Sequence, residues 1–175
     1  MLVLGIDPGT AVTGYGLVSA SAPGVWRLVE CGVIRTKPRD SLPARLSEIY
    51  DGVSEIILRH TPDAMAVEDV FYSRNVRTTV ALGHARGVIL LAGQRGQLAI
   101  HEYPPAEVKK AIVGTGLATK EQVQFMVARL LRLERVPSPS DAADGVAAAL
   151  TCHMSAHLTR IASLQLGTKQ APIRA

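Results

Sequence analysis

Cysteine is scarce in this chain of 175 residues: Cys31 and Cys152 stand far apart and in no ligand-spacing motif. Neither a disulfide framework nor a cysteine metal motif is indicated, and both read as reduced thiols of a cytosolic protein. No apolar run approaches the ~20 residues that a membrane span needs, and Met1-Leu2-Val3-Leu4-Gly5 enters a strand without a basic leader region. A soluble, cytoplasmic protein is expected. No repeat or low-complexity linker divides the chain, so a single domain is expected, and a chain of this size buries about 70% of its unfolded surface without staples. Acidic residues are sparse between 74 and 132, where Arg74, Arg77, Arg86, Arg95, Lys109, Lys110, Lys120, Arg129 and Arg132 recur, with Arg135 just beyond. With a net charge of +4 and a pI near 9.3, this predicts a basic surface suited to an anionic partner.

The first informative stretch is Val3 to Val18. An apolar run ends in Asp7, a Pro8-Gly9 turn follows, and a second apolar run carries Gly14 and Gly16. This predicts a β-hairpin with Asp7 at its open end. Glycines inside a strand suggest that a ligand or another backbone passes close by. A turn aspartate serving its own loop fits the same residues.

Val25 to Thr36 alternates as a third strand, and Leu42, Leu46, Ile49, Val53, Ile56 and Ile57 share one face of a helix over 42–60. Ala64 to Val67 is continuously apolar, as a strand buried on both faces would be, and it delivers Glu68 at its exit. Asp69 should face the other way. A helix over 75–94 places Val76, Val80, Gly83, Gly87, Leu90 and Leu91 on or near one stripe. Each helical glycine costs ~1 kcal/mol, so the pair implies tight packing against a helix of this chain or of a second subunit. Leu98 to Tyr103 reads as a strand, and 106–113 and 120–133 as helices.

The Gly114-Thr115-Gly116-Leu117-Ala118-Thr119 loop lacks the spacing of a phosphate-cradling P-loop, although its amides before a helix N-terminus suit an anion. Ser138, Pro139 and Asp141 predict a capped start for the last helix, with Ser138 as N-cap and Pro139 first in the helix. Asp141 and Asp144 then share a face among alanines. His153 and His157 lie four apart but have no third ligand in the sequence. Past about Leu158 the period lapses, and 158–175 is expected to be a loosely held tail.

Asp7, Glu68, Asp141 and Asp144 thus come from three distant segments, each at a strand mouth or in a helix's first turns. Carboxylates ~4 Å apart repel by about 4 kcal/mol at an effective dielectric of 20, an objection that a divalent cation removes. An all-oxygen donor set favours Mg²⁺ or Mn²⁺. Two such ions can activate water and steady a leaving 3′ oxygen, which beside a basic surface is phosphodiester cleavage.

The successive segments Gly5-Ile6-Asp7-Pro8-Gly9, Val67-Glu68-Asp69-Val70-Phe71, Val108-Lys109-Lys110 with Gly114-Thr115-Gly116 and Lys120, and Asp141-Ala142-Ala143-Asp144 resemble the motifs of the bacterial RuvC crossover-junction endodeoxyribonucleases. The resemblance covers about residues 2–156 in order. Asp69 departs from the glutamine more usual there. The resemblance implies an α/β RNase H-like nuclease domain over 1–157, with a five-stranded mixed sheet flanked by helices. It implies a homodimer that nicks a Holliday junction symmetrically, working with the RuvA and RuvB branch-migration complex. Asp7, Glu68, Asp141 and Asp144 would be catalytic metal ligands for two Mg²⁺ or Mn²⁺ ions. Phe71 would stack on bases, Arg74, Arg77, Lys109, Lys110 and Lys120 would contact DNA, and Gly83 and Gly87 would mark the dimer face. Sugar kinases and actin-like ATPases begin with a similar strand-turn-strand, but they need a second domain for which this length leaves no room. A binding protein without catalysis finds no support, because all four acidic positions are filled.

Overall fold

The computed structural model describes residues 1–69 and 76–167, with side chains described as far as residue 156. Five strands, β1 (Leu2–Asp7), β2 (Val12–Ala22), β3 (Val25–Arg35), β4 (Ala64–Glu68) and β5 (Ala99–Tyr103), form one sheet in the order β3-β2-β1-β4-β5. The first three strands pair antiparallel, and β1, β4 and β5 run parallel. Helices α1 (Leu42–His60) and α2 (Val76–Arg95) cover one face, while α3 (Pro105–Val113), α4 (Lys120–Leu130) and α5 (Ser140–Gly167) cover the other.

The alternation of strand side chains divides the core between these faces. Leu4, Ile6, Leu17, Met65 and Val67 pack with Ile49, Val53, Ile56 and Ile89 of α1 and α2. Val3, Val18, Ala64 and Ala66 pack with Val108, Val123, Val127 and the alanine-rich segment of α5. Beside the glycines of β1 and β2 on this second face, α5 lies against the sheet backbone. A Cβ added to Gly145 would come within 2.7 Å of the Tyr15 Cα, and one on Gly16 within 2.7 Å of the Val146 Cα. The element that Gly14 and Gly16 admit is therefore α5.

Helix α1 has the predicted bounds. Ser41 caps it by accepting from the Ala44 amide, and the left-handed Thr61 closes it by donating its N–H to the Ile57 carbonyl at 2.8 Å. Several expectations are corrected. Asp7 pairs with Gly14 beside the 8–11 turn, so it sits at the closed end of the hairpin. Helix α5 begins at Ser140, two residues after Ser138, with the Pro139 carbonyl accepting from the Ala142 amide. Ser138 and Pro139 therefore precede the helix and do not open it. On α2 the stripe with Val76, Val80, Gly83, Gly87 and Leu91 faces solvent, and Ala85, Ile89, Ala92 and Gly93 face the core. Among the described residues, nothing beyond the helix's own nearby backbone lies within 4 Å of a Cβ built on Gly83 or Gly87, so no described helix of this chain packs on them. Arg86 leaves the expected basic surface, because it is ion-paired with Asp69 and Glu102. The backbone of α5 continues past Leu158 to Gly167.

Candidate active site

Strand parity decides which carboxylates meet. Asp7 follows Val3 and Gly5 on the α5 side of β1, and Glu68 follows Ala64 and Ala66 on the same side of β4. The last parallel pair is Ile6 with Val67, so the two acids stand side by side at the next step along adjacent strands. The turn after Asp7 is pinned: Thr13 Oγ1 donates to the Gly9 carbonyl at 2.7 Å, and Thr36 Oγ1 donates to the Thr10 carbonyl at 2.6 Å. Gly9 is required there, because a side chain would strike the Val12 carbonyl.

From the other side, the seating of Gly145 on Tyr15 brings the first turn of α5 down beside Asp7. A cavity of about 240 Å³ results, lined by Asp7, Glu68, Asp144, Lys109 and Lys120 with Pro105, Val108, Val123 and Ala147. Asp141 does not line it but lies close enough to Asp7 to act on its charge. Lys120 opens α4 directly after a capping box, in which Thr119 donates its amide to the Gln122 side chain at 2.8 Å and its hydroxyl accepts the Gln122 amide at 3.3 Å. From that fixed root the Lys120 ammonium reaches Asp144 at 2.6 Å.

Electrostatics set the cavity's character. Burial, then the charges of Asp144 and Asp141, push the Asp7 carboxyl up to about 7 against the opposing pull of Lys120. Burial, Asp7 and Asp144 push Glu68 to about 8, with Lys120 and Lys109 opposing. Asp144 is raised by burial more than its hydrogen bond to Lys120 lowers it. Burial acts to lower Lys120, but the hydrogen bond and charge of Asp144, with Asp141 and Asp7, hold it above its usual range. Burial first, and mutual repulsion after it, disfavour the charged form of these acids.

Among the described residues no three carboxylate, histidine or cysteine side chains close into a metal cluster as they stand. Mutual repulsion opposes closure, and Lys120 occupies an oxygen of Asp144. The donor set nevertheless fits a hard divalent cation: three carboxylates face one space, and their raised proton affinity marks it as wanting positive charge.

Of the other predicted residues, Lys110 lines a separate groove with Trp26 and Met154, and Arg77 is exposed in the first turn of α2. Phe71 and Arg74 lie outside the described residues. His153 is buried, with Nε2 donating to the Val18 carbonyl at 2.9 Å, so its contact is with the β2 backbone. Sequence reasoning placed Arg86 on the basic surface and missed its ion pairs: a 3.3 Å contact with Asp69 and a pairing with Glu102 at the strand exits on the side opposite the cavity. No local signal marks these pairs, since the partners come from two other elements.

The family model described as crossover junction endodeoxyribonuclease RuvC matches residues 3–153. The chain belongs to the RuvC family. A crossover junction endodeoxyribonuclease RuvC from Moorella thermoacetica is 52% identical over 155 residues, which are 89% of this chain and 92% of that one. One from Desulforamulus reducens is 46% identical over 153 residues, 87% of this chain and 93% of that one. The structure of Thermus thermophilus RuvC in complex with a Holliday junction substrate aligns with a TM-score of 0.86 at 36% identity, covering 91% of this chain and 96% of that one. The yeast mitochondrial Holliday junction resolvase Ydc2 shares the fold at a TM-score of 0.67 and 14% identity, covering 90% of this chain and 80% of that one. The five-stranded mixed sheet of this RuvC family member is thus the RNase H-like architecture expected. No helix among the described residues is long and apolar enough to cross a membrane.

Proposed function

We propose that this chain resolves four-way DNA junctions, as a homodimer that nicks two strands of like polarity symmetrically and leaves ligatable 5′-phosphate and 3′-hydroxyl ends. The observation that supports this most is the meeting of Asp7, Glu68 and Asp144 in one cavity flanked by Lys109 and Lys120, in a chain of the RuvC family. Asp7, Glu68 and Asp144, with Asp141 beside Asp7, would hold Mg²⁺ or Mn²⁺, with two ions per site. Such ions, when bound, supply an activated water and a stabiliser for the leaving 3′ oxygen.

The protein's own groups do the rest. Lys109 and Lys120 hold the phosphate at the cavity mouth, and Val108, Val123, Pro105 and Ala147 wall the carboxylates off from bulk water. Arg77 and Lys110 extend the contact along the DNA backbone, Arg74 joins them, and Phe71 stacks on a base near the crossover. The exposed stripe of α2 around Gly83 and Gly87 would receive the second copy, because a helix face with no side chains at two positions lets another backbone come close. RuvA and RuvB are the partners that the family implies for delivering the junction.

The test is incubation of the purified chain with a synthetic four-way junction and a matched linear duplex, each with Mg²⁺, Mn²⁺ or chelator. Paired, symmetric, metal-dependent nicks in the junction alone are expected. Equal cutting of the duplex, or cutting that survives chelation, would overturn the reading. Binding should also weaken with salt, at roughly −0.9 in the log-log slope per phosphate neutralised.

A further inference from the structure

Lys120 and Asp144 form the one ion pair that the described residues place inside the cavity. Its two partners differ in freedom. Asp144 is 17% exposed and rides on the segment of α5 seated against the sheet through Gly145, whereas the Lys120 side chain is 48% exposed on a four-carbon stem. The lysine is the partner that can leave. Lys109 lines the same cavity without an ion pair among the described residues.

We propose that Lys120 is the resting counter-ion of Asp144 and competes with the divalent cation for that carboxylate. This rests on the reading of the cavity as a metal-dependent nuclease site. A carboxylate oxygen held at 2.6 Å by an ammonium is not open to a cation, and two cations at contact distance on one carboxylate repel. Metal entry therefore releases Lys120. The released ammonium is then rooted at the cavity mouth by the Thr119 cap, placed for a phosphate oxygen. The site in this way keeps a lysine neutralising its acids until metal arrives, and only then turns it toward DNA.

The proposal separates the effect of Lys120 on metal from its effect on cleavage. Mn²⁺ titrated calorimetrically without DNA should bind Lys120→Met about three- to tenfold more tightly than the wild-type protein, while that variant cleaves junctions more slowly. Lys120→Arg and Lys109→Met should bind Mn²⁺ within about twofold of wild type, because one keeps the competing charge and the other never touched Asp144. Unchanged or weaker binding by Lys120→Met would overturn the proposal, as would equal tightening in both methionine variants, which would indicate a general field. Should Lys120→Met fail to fold, wild-type protein suffices: acetylation of Lys120, followed by mass spectrometry, should speed up when Mn²⁺ is added, and an unchanged or slower rate overturns the idea. Absence of any Mn²⁺ binding that Asp7→Asn removes would overturn the metal-site reading itself, and the proposal with it.

Discussion

The two faces of the sheet are built on opposite rules. Against α1 and α2 the strands present Leu4, Ile6, Leu17, Met65 and Val67, large side chains that fill a layer with Ile49, Val53 and Ile89. Against α5 they present Val3 and Val18 at one end but Gly5, Gly14, Gly16, Ala64 and Ala66 elsewhere, and the glycines let the helix backbone down onto the sheet. The first face stabilises by burial, at roughly 1.5–3 kcal/mol for each large side chain removed from water. The second buries apolar side chains as well, but where the glycines lie it trades side-chain volume for proximity, and the proximity puts Asp144 in the same cavity as Asp7 and Glu68. Stability and catalytic placement are thus assigned to different sides of the same five strands.

That division can be broken one side at a time. The largest effect is expected for Asp7→Asn, which should lower junction cleavage by at least about a thousandfold, because on the proposed reading it removes a carboxylate from the cation site. The same change should raise the melting temperature of metal-free protein at pH 8, since a repelling buried charge is gone. A melting temperature that falls instead would mean that Asp7 is structural. Ile89→Ala, on the large-residue face, should cost about 2–5 kcal/mol in denaturant unfolding and leave the kcat of the folded fraction near wild type.

Gly16→Ala, on the other face, should cost less stability, about 1–3 kcal/mol, yet lower kcat disproportionately by lifting α5 and its aspartates away from Asp7. Equal loss of stability and activity in the two variants would erase the distinction between the faces. A further test is in pH. Asp7 and Glu68 bind protons more tightly when folded, at about 7 and 8, than at their ordinary values of 3.8 and 4.5. The folded chain therefore holds more protons across that range, and the metal-free protein should lose stability as pH rises from about 4 through 8. Calorimetry with chelator should show this decline, Mn²⁺ should flatten it, and Asp7→Asn should reduce it.

Much of this arrangement was legible in the sequence, where side-chain period and local chemistry agree. The apolar runs before Asp7 and Glu68, the apolar run of β2 and the period of α1 mark strands and a helix, and the structure has the predicted elements there. Legibility failed where size misled. On α2 the large residues Val76, Val80 and Leu91 suggested a buried stripe, but the core side is made of Ala85, Ile89, Ala92 and Gly93, because the helix sits close to β4 and β5. The start of α5 was misplaced since Ser138-Pro139 carries local capping chemistry that the chain does not use. Lys109 and Lys110 are neighbours in sequence, yet one lines the cavity and the other a separate groove, a distinction that needs the orientation of α3. The cluster in which Glu30 accepts from Tyr15 at 2.8 Å and from Arg59 at 2.6 Å, with His60 at 2.9 Å, joins β2, β3 and α1 and has no trace in any local pattern.

Glu68 and Asp69 leave β4 as neighbours bearing the same charge toward opposite sides, one into the cavity and the other onto Arg86. Losing a single residue upstream in that strand would exchange them, so a carboxylate would still arrive at the cavity. The same slip would turn Met65 and Val67 toward α5, where this strand presents only Ala64 and Ala66. Register in this strand is therefore set by volume rather than by charge, and a one-residue slip would be rejected by packing although a carboxylate still reached the cavity.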